Sequence, residues 1–133
     1  MTELLEQMVA AKQLSSSDAS SLQEVATNGK AHLIESEVAV LQWLADEYGV
    51  NFTDLESIEP DRELLSQFPA RVLLKEELLP LRKVNGTVEV ATSRLFATRG
   101  LDTLKTMTGL KLTPVLAPAK VIQKEIKKRL GIG

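Results

Sequence analysis

The sequence predicts an α+β fold: a helical N-terminal layer, then helix–strand–strand–helix–strand–helix with a small mixed three-stranded sheet. Three observations carry this. Up to Gly49 the apolar residues recur at three- and four-residue spacing between capping residues. From Leu79 the spacing tightens to alternation, interrupted by Asn85-Gly86, a pair suited to a two-residue hairpin because both positions of a type I′ turn need positive φ. Helical spacing then returns over Thr98–Met107 before a third alternating run. A hairpin makes the first two strands antiparallel, and a helical crossover makes the second and third parallel where they are neighbours.

The elements follow in order. Residues 2–14 pattern as a helix through Leu4, Leu5, Met8, Val9 and Lys12, with Thr2 as N-cap. The serines at 15–17 and Asp18 make a turn and a fresh cap, so a second helix runs from Asp18 to Thr27 with Leu22, Val25 and Ala26 inward; Asn28-Gly29 closes it. Ser36 caps a third helix whose apolar face is Val38, Leu41, Leu44 and Ala45, with Trp43 and Tyr48 at its edge and Gly49 as its stop. Val50–Ile58 reads as a connector, and the boundary between a helical subdomain (residues 1–57) and an α+β subdomain (residues 58–133) falls at its end.

In the second unit Asp61 caps a short helix holding Leu64 and Leu65, and Pro69 opens another, at the first helical position where its missing N–H costs nothing. Leu79–Val84, Thr87–Thr92 and Lys111–Ala117 are the strands. Pro114 within the third cannot donate to a ladder, which implies a sheet edge or a bulge. Pro118 opens the last helix, with Val121, Ile122, Glu125, Ile126 and Leu130 at helical spacing and Lys124, Lys127, Lys128 and Arg129 crowding its negative end.

Composition narrows the function. With 44% hydrophobic and 26% charged residues, 133 residues suit one ordinary globular domain or two small units sharing a core. There is no cysteine, which excludes disulfides and thiolate metal sites. Apolar runs are too short to span a membrane, and Glu3 and Glu6 stand where a signal peptide needs basic residues, so the expected location is the cytoplasm. The net charge of −2 conceals a segregation: residues 1–63 carry 13 acids against Lys12, Lys30 and Arg62, a net of −10, whereas residues 64–133 carry 5 acids against 13 bases, a net of +8. Mutual attraction of the halves within the chain, or two solvated faces, would explain it.

Catalytic patterns are missing. The chain has neither a phosphate-binding loop nor a dinucleotide fingerprint. His32 is the only histidine and has no ligand cluster around it in sequence. Asp46-Glu47 and Glu76-Glu77 are adjacent pairs that point in different directions on a helix, so neither makes an acid/base dyad. No enzyme activity, metal or cofactor is expected. Lys120, Lys124, Lys127 and Lys128 form a basic patch that could meet nucleic acid or lipid phosphates, but it lacks aromatic residues for base stacking, and DNA binding is not expected.

An ordered series of short marks runs through the second half: Ile58-Glu59-Pro60, Glu63-Leu64-Leu65, Phe68-Pro69-Ala70, Leu79-Pro80-Leu81, Asn85-Gly86, Val88-Glu89-Val90-Ala91, Thr108-Gly109 and the Ile122/Ile126 helix. Together with Leu33–Glu37 and Tyr48-Gly49-Val50, this series resembles the N-terminal domain of the ATPases that drive type II secretion and type IV pilus assembly, over roughly residues 33–130. The resemblance implies a non-catalytic domain joined by a linker to an ATPase core in a longer chain. It implies docking on the cytoplasmic part of an inner-membrane platform protein, at the inner face of the bacterial inner membrane. Candidate contacts are Leu5, Val40, Trp43, Leu44 and Tyr48, aromatics being favoured interface anchors. An end at Gly133 fits a domain preceding such a linker, and a complete small protein would fit as well.

The sequence departs from the family pattern twice. Ser93-Arg94 replaces the Asp-Pro common after the second strand. The Arg-Leu-Gly element with which some members bind cyclic di-GMP is missing, because Asn28-Gly29-Lys30-Ala31 runs directly into His32-Leu33-Ile34. A nucleotide-sensing module of the same fold is therefore the disfavoured alternative, and anionic nucleic-acid or lipid binding through the last helix is a second one.

Overall fold

The computed structural model describes residues 1–131; Gly133, where the sequence places a linker, lies outside them. Three helices make the N-terminal layer: α1 (Glu3–Ala10), α2 (Ser16–Thr27) and α3 (Glu37–Tyr48), with a 3₁₀ turn at Ala31–Ile34. Each starts at a side-chain cap. Thr2, Ser15 and Ser36 accept bonds from the backbone N–H groups of Leu5, Asp18 and Ala39, which would otherwise be unpaired at a helix start. Gly49 stops α3 in the left-handed conformation, φ 65°.

The α+β part follows as α4 (Arg62–Leu65), α5 (Ala70–Glu76), β1 (Leu79–Val84), β2 (Thr87–Thr92), α6 (Arg99–Thr108), β3 (Lys111–Leu116) and α7 (Ala119–Arg129). The sheet order is β1-β2-β3. Its first pair is antiparallel, from Leu79 opposite Ala91 to Val84 opposite Thr87, and the second is parallel, from Thr87 beside Lys111 to Thr92 beside Leu116. The hairpin turn has φ 52° at Asn85 and 81° at Gly86, the two positive values that its residues favour. β2 is buried along Val88–Thr92 because it is the central strand. Glu89 within it accepts a 2.6 Å bond from Arg82 Nε across the ladder, so its buried carboxylate is not left without a partner.

Several boundaries move from the sequence reading, each for a local reason. α1 ends at Ala10 instead of reaching residue 14, because Lys12 takes φ 63° and the chain turns to bury Gln13 and Leu14. α2 begins at Ser16, since the earlier Ser15 supplies the cap. Pro69 is the residue before α5, not its first. On α3 the inward position is Val40, while Val38 faces out. Pro114 does stand on an outer strand, β3, as its missing N–H implied, and the register shift in the sheet falls between Pro80 and Arg82 in β1.

The connector is more than a linker. Asn51 O accepts from Leu116 N at 2.8 Å and Thr53 N donates to Leu116 O at 2.9 Å, so Phe52 forms a one-residue parallel bridge on the outer side of β3. Leu116 itself is fully buried and packs with the helical cluster of Leu5, Met8, Leu22, Leu41 and Leu44. A second cluster, built on Leu73, Leu79, Val88, Val90, Leu104 and Ile122, fills the space between the sheet and its helices and takes in Leu55 from the connector. Glu37, at the start of α3, is a polar tie between the layers. Its Oε2 accepts from Gln13 Nε2 at 2.6 Å and from Ala119 N, the first amide of α7, at 3.0 Å.

Candidate functional site

The surface where the helical layer meets the β2–α6 loop carries the exposed aromatics. Tyr48, in the last turn of α3, is 47% exposed, and Phe96, in the loop, is 45% exposed. Their rings meet edge to face with centroids 4.9 Å apart, the arrangement that the ring quadrupoles favour. The Tyr48 hydroxyl donates to Asp18 Oδ2 at 2.8 Å, and Ser15 Oγ, the α2 cap, donates to the same oxygen at 2.9 Å. The bond to Asp18 first, then partial desolvation and the negative charge of Asp18 and Glu47, hold the Tyr48 phenol above its ordinary pKa. An adjoining groove is lined by Val9, Lys12, Leu14, Phe96 and Ala97. A rigid aromatic pair beside an apolar groove, with one polar handle, can bind another macromolecule by shape. Among the described residues no cluster could hold a metal ion.

The sequence candidates divide on this geometry. Tyr48 lies at the centre of the patch. Trp43 is half-buried against the helical cluster. Leu5, Val40 and Leu44 are each 0% exposed, which corrects their assignment as contact residues: they are the core of the layer and cannot touch a partner. Phe96 was missed, because it stands outside the helical periodicity that selected the others. Its proximity to Tyr48 joins residues 48 apart in the chain.

The basic patch also divides. Lys120, Lys124 and Lys128 line one groove together with Asp54 and Glu56, whereas Lys127 lines another with Leu74, Glu77 and Gln123. Arg129 turns inward: its guanidinium donates to Ile58 O at 2.8 Å and pairs with Glu125 at 3.7 Å, tying α7 to the connector. His32 is exposed in the 3₁₀ turn.

The family departure at Ser93-Arg94 has a structural role. Ser93 is buried, and Arg94 donates to Glu76 O at 2.7 Å while lying 3.7 Å from the Glu77 carboxylate. It thus closes the C-terminal end of α5, where a cation suits the helix dipole.

The model of the MshEN domain matches residues 48–132. The chain belongs to the MshEN domain family. This bears out the resemblance to the N-terminal domains of secretion and pilus ATPases that its sequence carries. The solved structures agree on the fold. MshE with cyclic di-GMP superposes at a TM-score of 0.65 with 16% identity, covering 97% of this chain and 99% of that one. Two crystal forms of the XpsE N-terminal domain give TM-scores of 0.58 and 0.61 at 18% and 19% identity, covering 92% and 94% of this chain and 91% and 92% of theirs. No curated protein sequence matches. This MshEN domain holds no described helix long and apolar enough to cross a membrane.

Proposed function

We propose that this MshEN domain is a non-catalytic docking and regulatory module of a secretion or pilus assembly ATPase. It binds the cytoplasmic part of an inner-membrane platform protein and couples that protein to an ATPase core in the same longer chain. The observation that supports this best is the exposed Tyr48–Phe96 pair beside its apolar groove. Single exposed apolar side chains are ordinary on a soluble domain, but two aromatics packed on each other at the junction of two layers are a preformed anchor that loses little side-chain freedom on binding.

The test is titration calorimetry of this chain with the cytoplasmic domain of the platform protein from its own host. Substituting both Tyr48→Ala and Phe96→Ala is expected to weaken binding by at least about 1–2 kcal/mol, on the order of tenfold or more. Full affinity in the double variant would move the docking face elsewhere, and no binding by the unsubstituted chain would remove the reading.

Cyclic di-GMP is the second reading, raised by the MshE structure that carries it. The helical layer opposes it. Residues 1–61 contain no arginine, so no guanidinium of the layer can stack on a guanine, and Lys12 and Lys30 are the only cations there. The expected result is an unchanged melting temperature at millimolar cyclic di-GMP. A rise of several degrees would restore the nucleotide reading.

A further inference from the structure

At the end of α7 a cleft of about 480 Å³ lies between that helix and α4. Arg62, Lys128 and Arg129 line it, with an apolar wall of Leu65, Phe68 and Leu130, and no carboxylate is among its lining residues. Arg129 is the unusual member. Its side chain is only 5% exposed. Its Nη2 donates to Ile58 O at 2.8 Å, but its Nε lies 3.7 Å from Glu125 Oε2, too far for a hydrogen bond. Among the described residues this Nε is the one buried side-chain polar atom without a hydrogen-bond partner. Folded proteins leave few such groups, and a buried cation that is only partly met is among the most costly, so a specific cause is called for. Arg62 and Lys128 are exposed, and among the described residues neither has a carboxylate within ion-pair distance. An under-partnered buried arginine and two unpaired cations thus converge on one apolar cleft.

We infer that this cleft binds a phosphate monoester carried by a small soluble molecule with an apolar or aromatic body. The three cations less the Glu125 carboxylate leave two positive charges. A phosphate monoester brings close to two negative charges at neutral pH, whereas a carboxylate or a phosphodiester brings one. The guanidinium spreads its charge over three nitrogens, so an anion on its cleft side offsets that charge without touching Nε. Leu65, Phe68 and Leu130 receive the body of the ligand, and the volume suits a single small molecule. An anionic membrane or a nucleic-acid strand is the poorer occupant. Asp54, Glu56, Glu59, Asp61 and Glu63 are exposed on the segment leading into α4 and repel an extended negative surface, while a small ligand inside the cleft meets no acidic lining residue.

The test is a proton–nitrogen NMR titration of the 133-residue chain with phenyl phosphate, following the Nε–H signal of Arg129. The expected result is a saturable shift of that signal with a Kd of ~1 mM or tighter, and binding of benzoate about tenfold weaker. R62A/K128A, which alters only exposed side chains, is expected to weaken phenyl phosphate about tenfold or more. K120A/K124A, on the neighbouring groove, is expected to leave the affinity unchanged. Circular dichroism confirms that both variants fold. No saturable shift up to ~10 mM, equal affinity for benzoate, unchanged affinity in R62A/K128A, or an equal loss in K120A/K124A would overturn the inference. Binding to phosphatidic acid vesicles without binding of phenyl phosphate would also overturn it, and would assign the cleft to a lipid headgroup.

Discussion

The helical layer and the sheet unit satisfy their polar groups in opposite ways. In the sheet unit, charges find partners on neighbouring elements: Glu89 takes Arg82 across the hairpin, Arg94 closes α5, and Arg129 reaches the connector. In the layer, serine and threonine caps serve the helix starts, but α1, α2 and α3 have no basic residue in their last turns. The layer therefore presents uncompensated negative helix ends, while the exposed aromatic pair straddles the two regions, Tyr48 from α3 and Phe96 from the β2–α6 loop. One region ties its elements together by charge and the other by caps, and they are joined through very few side chains.

Those joints are where the contrast can be broken. Leu116→Ala should have the largest effect. The side chain belongs to a sheet strand but packs in the helical cluster, so its loss opens a cavity at the junction costing about 2–5 kcal/mol, read as a lowered urea midpoint. If the two regions are one cooperative unit the transition stays single; an early partial transition would show that the layer unfolds separately.

Glu37→Ala comes next. It leaves Gln13 and the first amide of α7 without their acceptor, an expected loss of about 1–3 kcal/mol with faster amide hydrogen exchange at Ala119 and around Gln13. Exchange that accelerates across the whole sheet instead would mean that Glu37 supports more than the joint.

Asp46→Lys sharpens the comparison from the other side. A cation at the uncompensated end of α3 is expected to stabilise the isolated domain by about 0.3–1 kcal/mol, measured by thermal melting at low salt, and the gain should shrink as salt is added. Any destabilisation would show that the carboxylate makes a contact of its own.

The smallest effect concerns pH. The bond to Asp18 favours protonated Tyr48, so the folded state holds that proton more tightly than the unfolded chain does. This contribution is complete below the ordinary phenol pKa of about 10 and is lost as pH rises through the higher folded value. Tyr48→Phe should therefore flatten the alkaline decline in stability, and an unaltered decline would assign it to other groups.

Much of the architecture was legible in the sequence because its signals are local. Caps at Thr2, Ser36 and Asp61, the stops at Gly49 and Gly109, and the Asn85-Gly86 turn each depend on a few neighbouring residues. Strand edges at Leu79, Val84, Thr87 and Thr92 were fixed by the same hairpin logic. Errors arose where the deciding interaction is distant. Helical spacing continues past Ala10, but burial of Gln13 against Glu37 turns the chain there. The connector has no strand pattern of its own, yet the free edge of β3 recruits Asn51–Thr53.

The sequence by itself determined the order and kind of the elements, the absence of cysteine chemistry and the family, since these follow from spacing, composition and short-range backbone preference. Only the tertiary structure decided which apolar residues are core and which are surface. Val40 and Leu44 went inward, Tyr48 and Phe96 stayed out, and Leu116 crossed between layers. The physical reason is that a periodic stripe specifies a face, whereas exposure depends on what another part of the chain lays against that face.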